Sequence, residues 1–449
     1  MRAEAPIEHD LRWPVVSLAE IAIKIGSGST PKGGADAYLP SRARFALVRS
    51  QNVFDRRFNY DGLAFISDEQ ADGLRGVVLQ PDDLLLNITG DGITFGRACM
   101  APKDVLPACV NQHVSIIRLD PQRADAGYVL AFLTHPEVKS YIESFNAGGS
   151  RRAVTKGHIE SFRLPLPPLP EQHAIAHILG TLDDKIELNR RMNKTLKAMA
   201  QALFKSWFVD FDAVRAKAEG RDPGLPQPLA DLFPEHLESS PLGYIPKGWE
   251  ICSLANKIEL LSGGTPKTSD PAYWDGDIPW YSVKDAPSEA DVWVIQTEKH
   301  VTKLGIDNSA TQILPQGTTI ISARGTVGKL ALIGTPMAMN QSCYGVRGIK
   351  EHGDYFTYFV LRQATADLQQ RTHGTVFDSI TRQTFETLDC IFPPGNLTQV
   401  FDNIVAPLLS QIRANLHQSR TLATLRDTLL PQLLSGSLQI NNQMDQSHD

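Results

Sequence analysis

The chain is written twice, and that limits its fold more than anything else in it. The hexapeptide SGSTPK at 27–32 returns with one change as SGGTPK at 262–267, and four more landmarks accompany it in the same order. Trp13 answers Trp249, NITGDGITFGRA at 87–98 answers SARGTVGKLA at 322–331, and CVNQHVSIIRL at 109–119 answers MNQSCYGVRG at 339–348. Thr155 answers Thr381, each twelve residues before a Pro-Pro pair. The offset shrinks from 236 to 226 along the copy, as shorter loops in the second would produce. One repeated hexapeptide arises by chance; five ordered landmarks describe a duplicated domain of about 150 residues. Two such domains and their connections account for the 449 residues. Strand-like runs such as GVVLQPDDLLLNIT and GTTIISAR, broken by Gly, Pro and Asp turns, predict mixed α/β (α+β) units with irregular sheets.

After each Pro-Pro pair the texture changes. Residues 169–211 hold no proline beyond Pro170 and a single glycine, Gly180. Ile175, Leu179, Leu182, Ile186, Asn189, Asn193, Leu196, Ala200, Leu203 and Trp207 recur there at alternating spacings of four and three, the signature of a coiled-coil seam. Shifted by 226, the second copy supplies Phe401, Val405, Leu408, Ile412, Asn415, Ser419, Leu422, Arg426, Leu429 and Leu433. Asn189 and Asn415 fall at the same seam position, and amides in a seam cost stability while fixing register. Pro407 predicts a kink near the start of the second helix, and Pro431 the end of its regular part. Six prolines from Pro223 to Pro246 predict a linker with little regular structure, and NNQMDQSHD closes a tail expected to be disordered. The plan is a domain over 11–168, a helix over 169–211 and a linker over 212–246. A second domain over 247–395, a second helix over 396–436 and a tail over 437–449 complete it. A 43-residue helix spans ~65 Å. Paired antiparallel, two such helices would give a pseudo-two-fold arrangement in which equivalent loops meet two DNA half-sites about one helical turn apart.

Composition narrows the function classes. A net charge of −6 excludes a global basic field but not a local basic cleft. Five scattered cysteines with no C-x-x-C pair read as reduced thiols of a cytoplasmic protein, not as a disulfide frame or zinc site. MRAEAPIEHDLRW lacks an apolar signal core, and no run approaches the roughly 20 apolar residues of a membrane helix, so no membrane association is expected.

Candidate nucleic-acid contacts sit in the repeated loops. The opening loop brings hydroxyls and a lysine, Ser27, Ser29, Thr30 and Lys32 in one copy and Thr265 and Lys267 in the other, suited to phosphate but equally to a tight surface turn. The Gly-rich turns add Thr89 and Asp91, then Arg324, Thr326 and Lys329; a guanidinium such as that of Arg324 can grip guanine bidentately, while a plain turn needs no ligand. The second turn contains G-x-x-G-K-L, but the nucleotide-binding spacing is absent and Leu330 stands where Ser or Thr would hold Mg²⁺. The amides and neighbours Gln112, His113, Gln341 and Ser342 fit adenine, phosphate or a capped turn. Arg151, Arg152 and Lys156, with Arg382 in the second copy, form a basic flexible loop over DNA or an ordinary solvated one. His173 and His177 lack a third metal ligand, so no metal is expected, and Arg190, Arg191, Lys194 and Lys197 read as a solvated helix flank. Phe204, Trp207, Phe208 and Phe211 crowd the end of the first helix, where packing against the second domain competes with docking of a partner helix.

The stretch LPLPPLPEQHAIAHILGTLDDKIELNRRMNKTLKAMAQALFKSWFVDFD resembles, nearly word for word, the first central helix of specificity subunits of type I restriction–modification enzymes. GYIPKGWE, SGGTPK and the closing LRDTLLPQLLSGSL look like the same family, so the resemblance spans 11–440. It implies two target recognition domains, each reading part of a split site in double-stranded DNA, joined by two long antiparallel coiled-coil helices. It also implies docking of two methyltransferase subunits and, through the complex, two restriction/translocase subunits. S-adenosylmethionine, ATP and Mg²⁺ would reside on those partners, with no cofactor on this chain. Consistent with a non-catalytic role, the sequence contains no D/N-P-P-Y/F motif, Gly-rich cofactor fingerprint, nucleotide-binding loop or convincing nuclease cluster. The rival readings are a coiled-coil scaffold that binds only protein, and an enzyme with an unrecognised site in the Gly-rich loops.

Overall fold

The computed structural model describes residues 5–31, 33–90, 94–145, 152–288, 291–349, 351–371 and 379–440. The chain divides into two compact units, Met1–Glu187 with Arg420–Asp449, and Leu188–Ser419.

In the first unit a four-stranded antiparallel sheet runs in the order Ala22–Ser27, Val114–Leu119, Leu84–Asn87, Ala98–Met100. A three-stranded sheet runs Ala108–Val110, Phe45–Val48, Ala64–Ile66, its first pair parallel. The run LLLN explains how they stack. Alternate strand residues point to opposite faces, so Leu84 and Leu86 join a layer containing Tyr128, Phe132 and Phe162, while Leu85 joins Leu47, Val48 and Val110. A strand buried on both faces needs no polar alternation, and this one has none. Val15–Ser17 pairs with Arg163–Pro165, so the beginning and end of the domain lie side by side.

The second unit repeats the plan. Its sheet runs Ile258–Ser262, Cys343–Gly348, Thr319–Ser322, Leu330–Ile333, with Trp293–Val294 added as a fifth, parallel strand. Lys299–Val301, Trp274–Tyr281 and Ala338–Met339 form the smaller sheet, again with one parallel pair, and Glu250–Ser253 closes on Asp389–Phe392. Ile321 and Leu332 face one layer, Ile320 and Ala331 the other. The duplication seen in the sequence is a duplication of topology.

The two long helices are Leu169–Phe208 and Gly395–Leu434. Within the second unit they run antiparallel: Asn193 lies against Asn415, and Phe208 against Phe401 with ring centroids 5.2 Å apart. The centre of the seam is a polar layer. Asn189 Nδ2 donates to Gln418 Oε1 (2.9 Å) and Ser419 Oγ (3.2 Å), Asn415 Nδ2 to Asn193 Oδ1 (2.9 Å), and Gln411 Nε2 to Asn415 Oδ1 (2.8 Å). Of the expected seam residues, Ile175, Leu179, Asn189, Asn193, Ala200, Trp207, Phe401, Val405, Ile412, Asn415 and Leu433 are buried, whereas Leu182, Ile186, Leu196, Leu203, Leu408, Ser419, Leu422, Arg426 and Leu429 are half-buried. A two-helix seam covers only part of each knob.

Several expectations are corrected. The first helix ends at Phe208, not 211, because Phe211 takes a left-handed conformation (φ 58°) that turns its ring onto Trp249 (5.6 Å). The second helix is unbroken through Pro407, which is exposed, and continues past Pro431 to Leu434. A proline removes its own N–H bond, and burial of Leu430, Leu433 and Leu434 offsets that loss. The segment 212–246 is structured: a helix at Asp212–Ala218 and a hairpin of Leu237–Ser240 with Gly243–Pro246. Pro226 caps the short helix Gln227–Ala230 and Pro246 ends the hairpin's second strand, and Ala213, Val214 and Phe233 of this segment are core. Of the tail, 437–440 is ordered with Ile440 against the first unit's core, and 441–449 lies outside the described residues.

Candidate nucleic-acid interface

The opening loop is built around a glycine that has no room for a side chain. A Cβ on Gly28 would stand 1.8 Å from the Val110 carbonyl oxygen, and one on Gly263 2.0 Å from that of Asn340. This close approach brings the loop against the NQ turn of its own copy. Thr30 Oγ1 donates to Gln112 Oε1, and Thr265 Oγ1 makes the same bond to Gln341 Oε1. Asn111 and Asn340 shape these turns alike, each Oδ1 accepting the N–H two residues on, His113 or Ser342, at 3.0 Å.

The Gly-rich turn arrives from the neighbouring strand. Ile88 N–H donates to the His113 carbonyl (3.0 Å), and Ala323 N–H to that of Ser342 (2.8 Å). In the first copy the side chains then link up: Gln112 Nε2 lies 3.2 Å from His113 Nε2, and His113 Nδ1 2.5 Å from Thr89 Oγ1. The basic segment completes the cluster, with Arg152–Ala153 pairing with Thr89–Gly90. In the second copy Arg382 reaches Ser262 Oγ (3.2 Å), and Arg324, Thr326, Lys329 and Gln341 are exposed. The repeated Thr155 caps the short helix Lys156–Ser161, accepting from His158 N at 3.2 Å, while Thr381 N–H donates to Thr384 Oγ1 at the matching helix start. In each copy, four segments distant in sequence meet at one end of the larger sheet's strands.

Not every candidate is part of that meeting. Ser27 and Ser29 are exposed beside it, Lys156 faces Glu160 at 3.5 Å, and Lys267 is exposed. Lys32, Asp91, Arg151 and the side chain of Arg152 lie outside the described residues. One basic residue escaped the reading of the sequence: Arg97 lies over the Phe54 ring (4.4 Å), whose ring also carries Arg57 (4.6 Å). The repeat contained the clue, since Arg97 follows Gly96 as Lys329 follows Gly328.

A family description fits this duplicated arrangement. The type I restriction modification DNA specificity domain matches residues 72–198 and 246–421, about two thirds of the chain and once in each copy. The chain belongs to this family. Among relatives, the HindI specificity subunit of Haemophilus influenzae is 27% identical over 436 residues, covering 87% of this chain and 94% of its own. The MjaIX specificity subunit of Methanocaldococcus jannaschii is 24% identical over 307 residues, covering 68% and 67%. In fold, the chain is similar to the crystal structure of a type I restriction–modification S subunit from M. genitalium, with TM-score 0.57, 14% identity and coverage of 96% and 99%.

In this member of the specificity family the aromatic residues at the end of the first long helix pack into a domain core. Phe204, Trp207, Phe208 and Phe211 are all buried in the second unit's core, Phe204 stacked on Phe359 (5.5 Å) and Trp207 edge-on to Phe233 (5.2 Å). Of the two readings of that cluster, packing against the second domain describes it, and Phe204, Phe208 and Phe211 also line a cavity with Tyr244 and Ile391. Lys197 is likewise no solvated flank residue: it is buried and donates to the Asp291 carbonyl (3.1 Å). Among the described residues no cluster of three His, Cys, Asp or Glu side chains could hold a metal ion, and no helix is long and apolar enough to cross a membrane.

Proposed function

We propose that this chain gives a type I restriction–modification complex its DNA specificity, each recognition domain reading one part of a bipartite site. The observation that carries the reading is the convergence, in both copies, of the opening loop, the NQ turn, the Gly-rich turn and the basic segment. Their donors, hydroxyl, amide and guanidinium, match what phosphates and base edges accept. The chain itself is non-catalytic in this reading. Two methyltransferase subunits dock on it with S-adenosylmethionine, and two restriction/translocase subunits join with ATP and Mg²⁺. Binding free energy supplied here determines where chemistry by others occurs.

The test is to purify the chain with its methyltransferase partner and map methylated sites by sequencing. Methylation at one split sequence, competed by that sequence and not by scrambled half-sites, is the expected result. Sequence-independent binding would instead favour a protein-binding scaffold.

A further inference from the structure

The two copies share their backbone bonds at the site but not all of their side chains. Asn87 N–H donates to the Arg97 carbonyl and Ser322 N–H to that of Lys329, both at 2.9 Å. Val154 N–H donates to the Ile88 carbonyl and Ile380 N–H to that of Ala323, again both at 2.9 Å. Together with the bonds to His113 and Ser342, these fix position for position which residues correspond. Thr89 stands where Arg324 stands, His113 where Ser342 stands, and Arg97 where Lys329 stands.

A fold that reads two unlike half-sites needs some residues that do the same work twice and others that differ. Residues identical in both copies cannot tell the half-sites apart. The Thr30–Gln112 bond and its twin Thr265–Gln341 are identical, and Arg97 and Lys329 keep their charge. Positions 89 and 113 change chemistry. Resting on the specificity reading above, we propose that residues 89 and 113 in the first domain, and 324 and 342 in the second, select bases. In the same proposal the Thr–Gln pair and the basic residue after the glycine set the register on phosphates.

What each pair would read follows from the donors it leaves open. In the first copy Thr30 uses its proton on Gln112 Oε1, so the Gln112 amide donates to His113 Nε2. The imidazole proton then resides on Nδ1 and goes to Thr89 Oγ1, leaving the half-buried Thr89 with one hydroxyl hydrogen to donate. In the second copy Ser342 replaces the imidazole and the relay stops at Gln341. The Arg324 guanidinium and the Gln341 amide hydrogens have no protein partner among the described residues, and both side chains are exposed. A guanidinium presenting two parallel N–H groups matches O6 and N7 of guanine. The second half-site therefore carries a guanine that the first does not require at the equivalent position.

The experiment uses the complex with the methyltransferase partner and a library of randomised half-sites, scored by methylation sequencing. Arg324→Ala is expected to lower the preference for guanine at one position of the second half-site by about tenfold or more, as loss of a bidentate base contact does, and to leave the first half-site as it was. Thr89→Arg with His113→Ser should create a guanine preference in the first half-site and leave the second untouched. Lys329→Ala should weaken binding to all sequences alike without changing the preference. The half-site not altered reports in every case that the complex is folded. Unchanged preference in the Arg324 variant, or a loss spread evenly over all sequences, overturns the proposal and leaves the specificity reading standing. If the wild-type complex methylates without sequence preference, the specificity reading itself falls.

Discussion

At the scale of single residues, the repeated hexapeptide owes its sequence to close packing. Gly28 and Gly263 are the positions where a Cβ would drive into a backbone carbonyl, whereas a Cβ on Gly26, two residues earlier, meets nothing within 4 Å. Gly28→Ala or Gly263→Ala is expected to cost about 2–3 kcal/mol in urea unfolding, and Gly26→Ala less than about 0.5 kcal/mol. Equal costs at the three positions would remove the steric account. A second residue-scale prediction concerns Asp402 on the second long helix, which accepts N–H from Phe356 (2.7 Å) and Tyr355 (3.2 Å). Burial pushes its carboxyl up to about 7 from an ordinary 3.8, against the pull of those two donors and with Asp354 adding to the rise. Between these values the folded state holds a proton that the unfolded chain has released, so stability falls as pH rises. The contribution is complete below about 4 and gone above about 7. Asp402→Asn should remove that slope, its Tm gaining on the wild type from pH 4.5 to 7.5, a gap that circular dichroism melts would show to be absent if the carboxyl stays ionised. None of this could be read in the sequence, because the glycine's neighbour and the carboxylate's burial are set by residues some 45 to 80 positions away.

At the scale of elements, the long helices were legible because a four–three spacing has few other meanings, and the polar seam position was legible with them. The network it forms supports a measurable coupling. Asn193 and Asn415 are buried and joined side chain to side chain, and Asn193 Nδ2 goes on to Asp291 Oδ1 at 3.1 Å. Replacing either alone by Leu strands buried partners and should cost about 1–3 kcal/mol. The double replacement should cost less than the sum, with about 1 kcal/mol of coupling in a double-mutant cycle; additive costs would show that the two amides act separately. What spacing could not show was which apolar residues leave the seam for a domain. Phe204 and Trp207 follow the helical period yet belong to a core whose other members, Phe233 and Phe359, come from a supposed linker and from the second domain. Proline count misled in the same way, since Pro226 opens one short element and Pro246 ends another instead of spacing elements apart.

At the scale of the whole molecule, duplication was the most legible feature and the most consequential. It predicted one domain topology twice, and the order of strands in both larger sheets agrees with that. The candidate site was half legible: the repeat located its segments, but only folding shows that Gln112, His113 and Thr89 form one relay while Arg324 stands apart. Each long helix has 40 residues and contributes to both compact units without a break in the helix. If the helices set the distance between half-sites, their length is a variable that can be changed. Seven residues added to each at the polar layer preserve the seam pattern, because seven is its period, and lengthen each helix by about 10.5 Å, roughly three base pairs of DNA. In methylation sequencing the preferred spacer should grow by about three base pairs while both half-site sequences stay the same. A spacer of unchanged length, with methylation retained, would mean that something other than these helices measures the site.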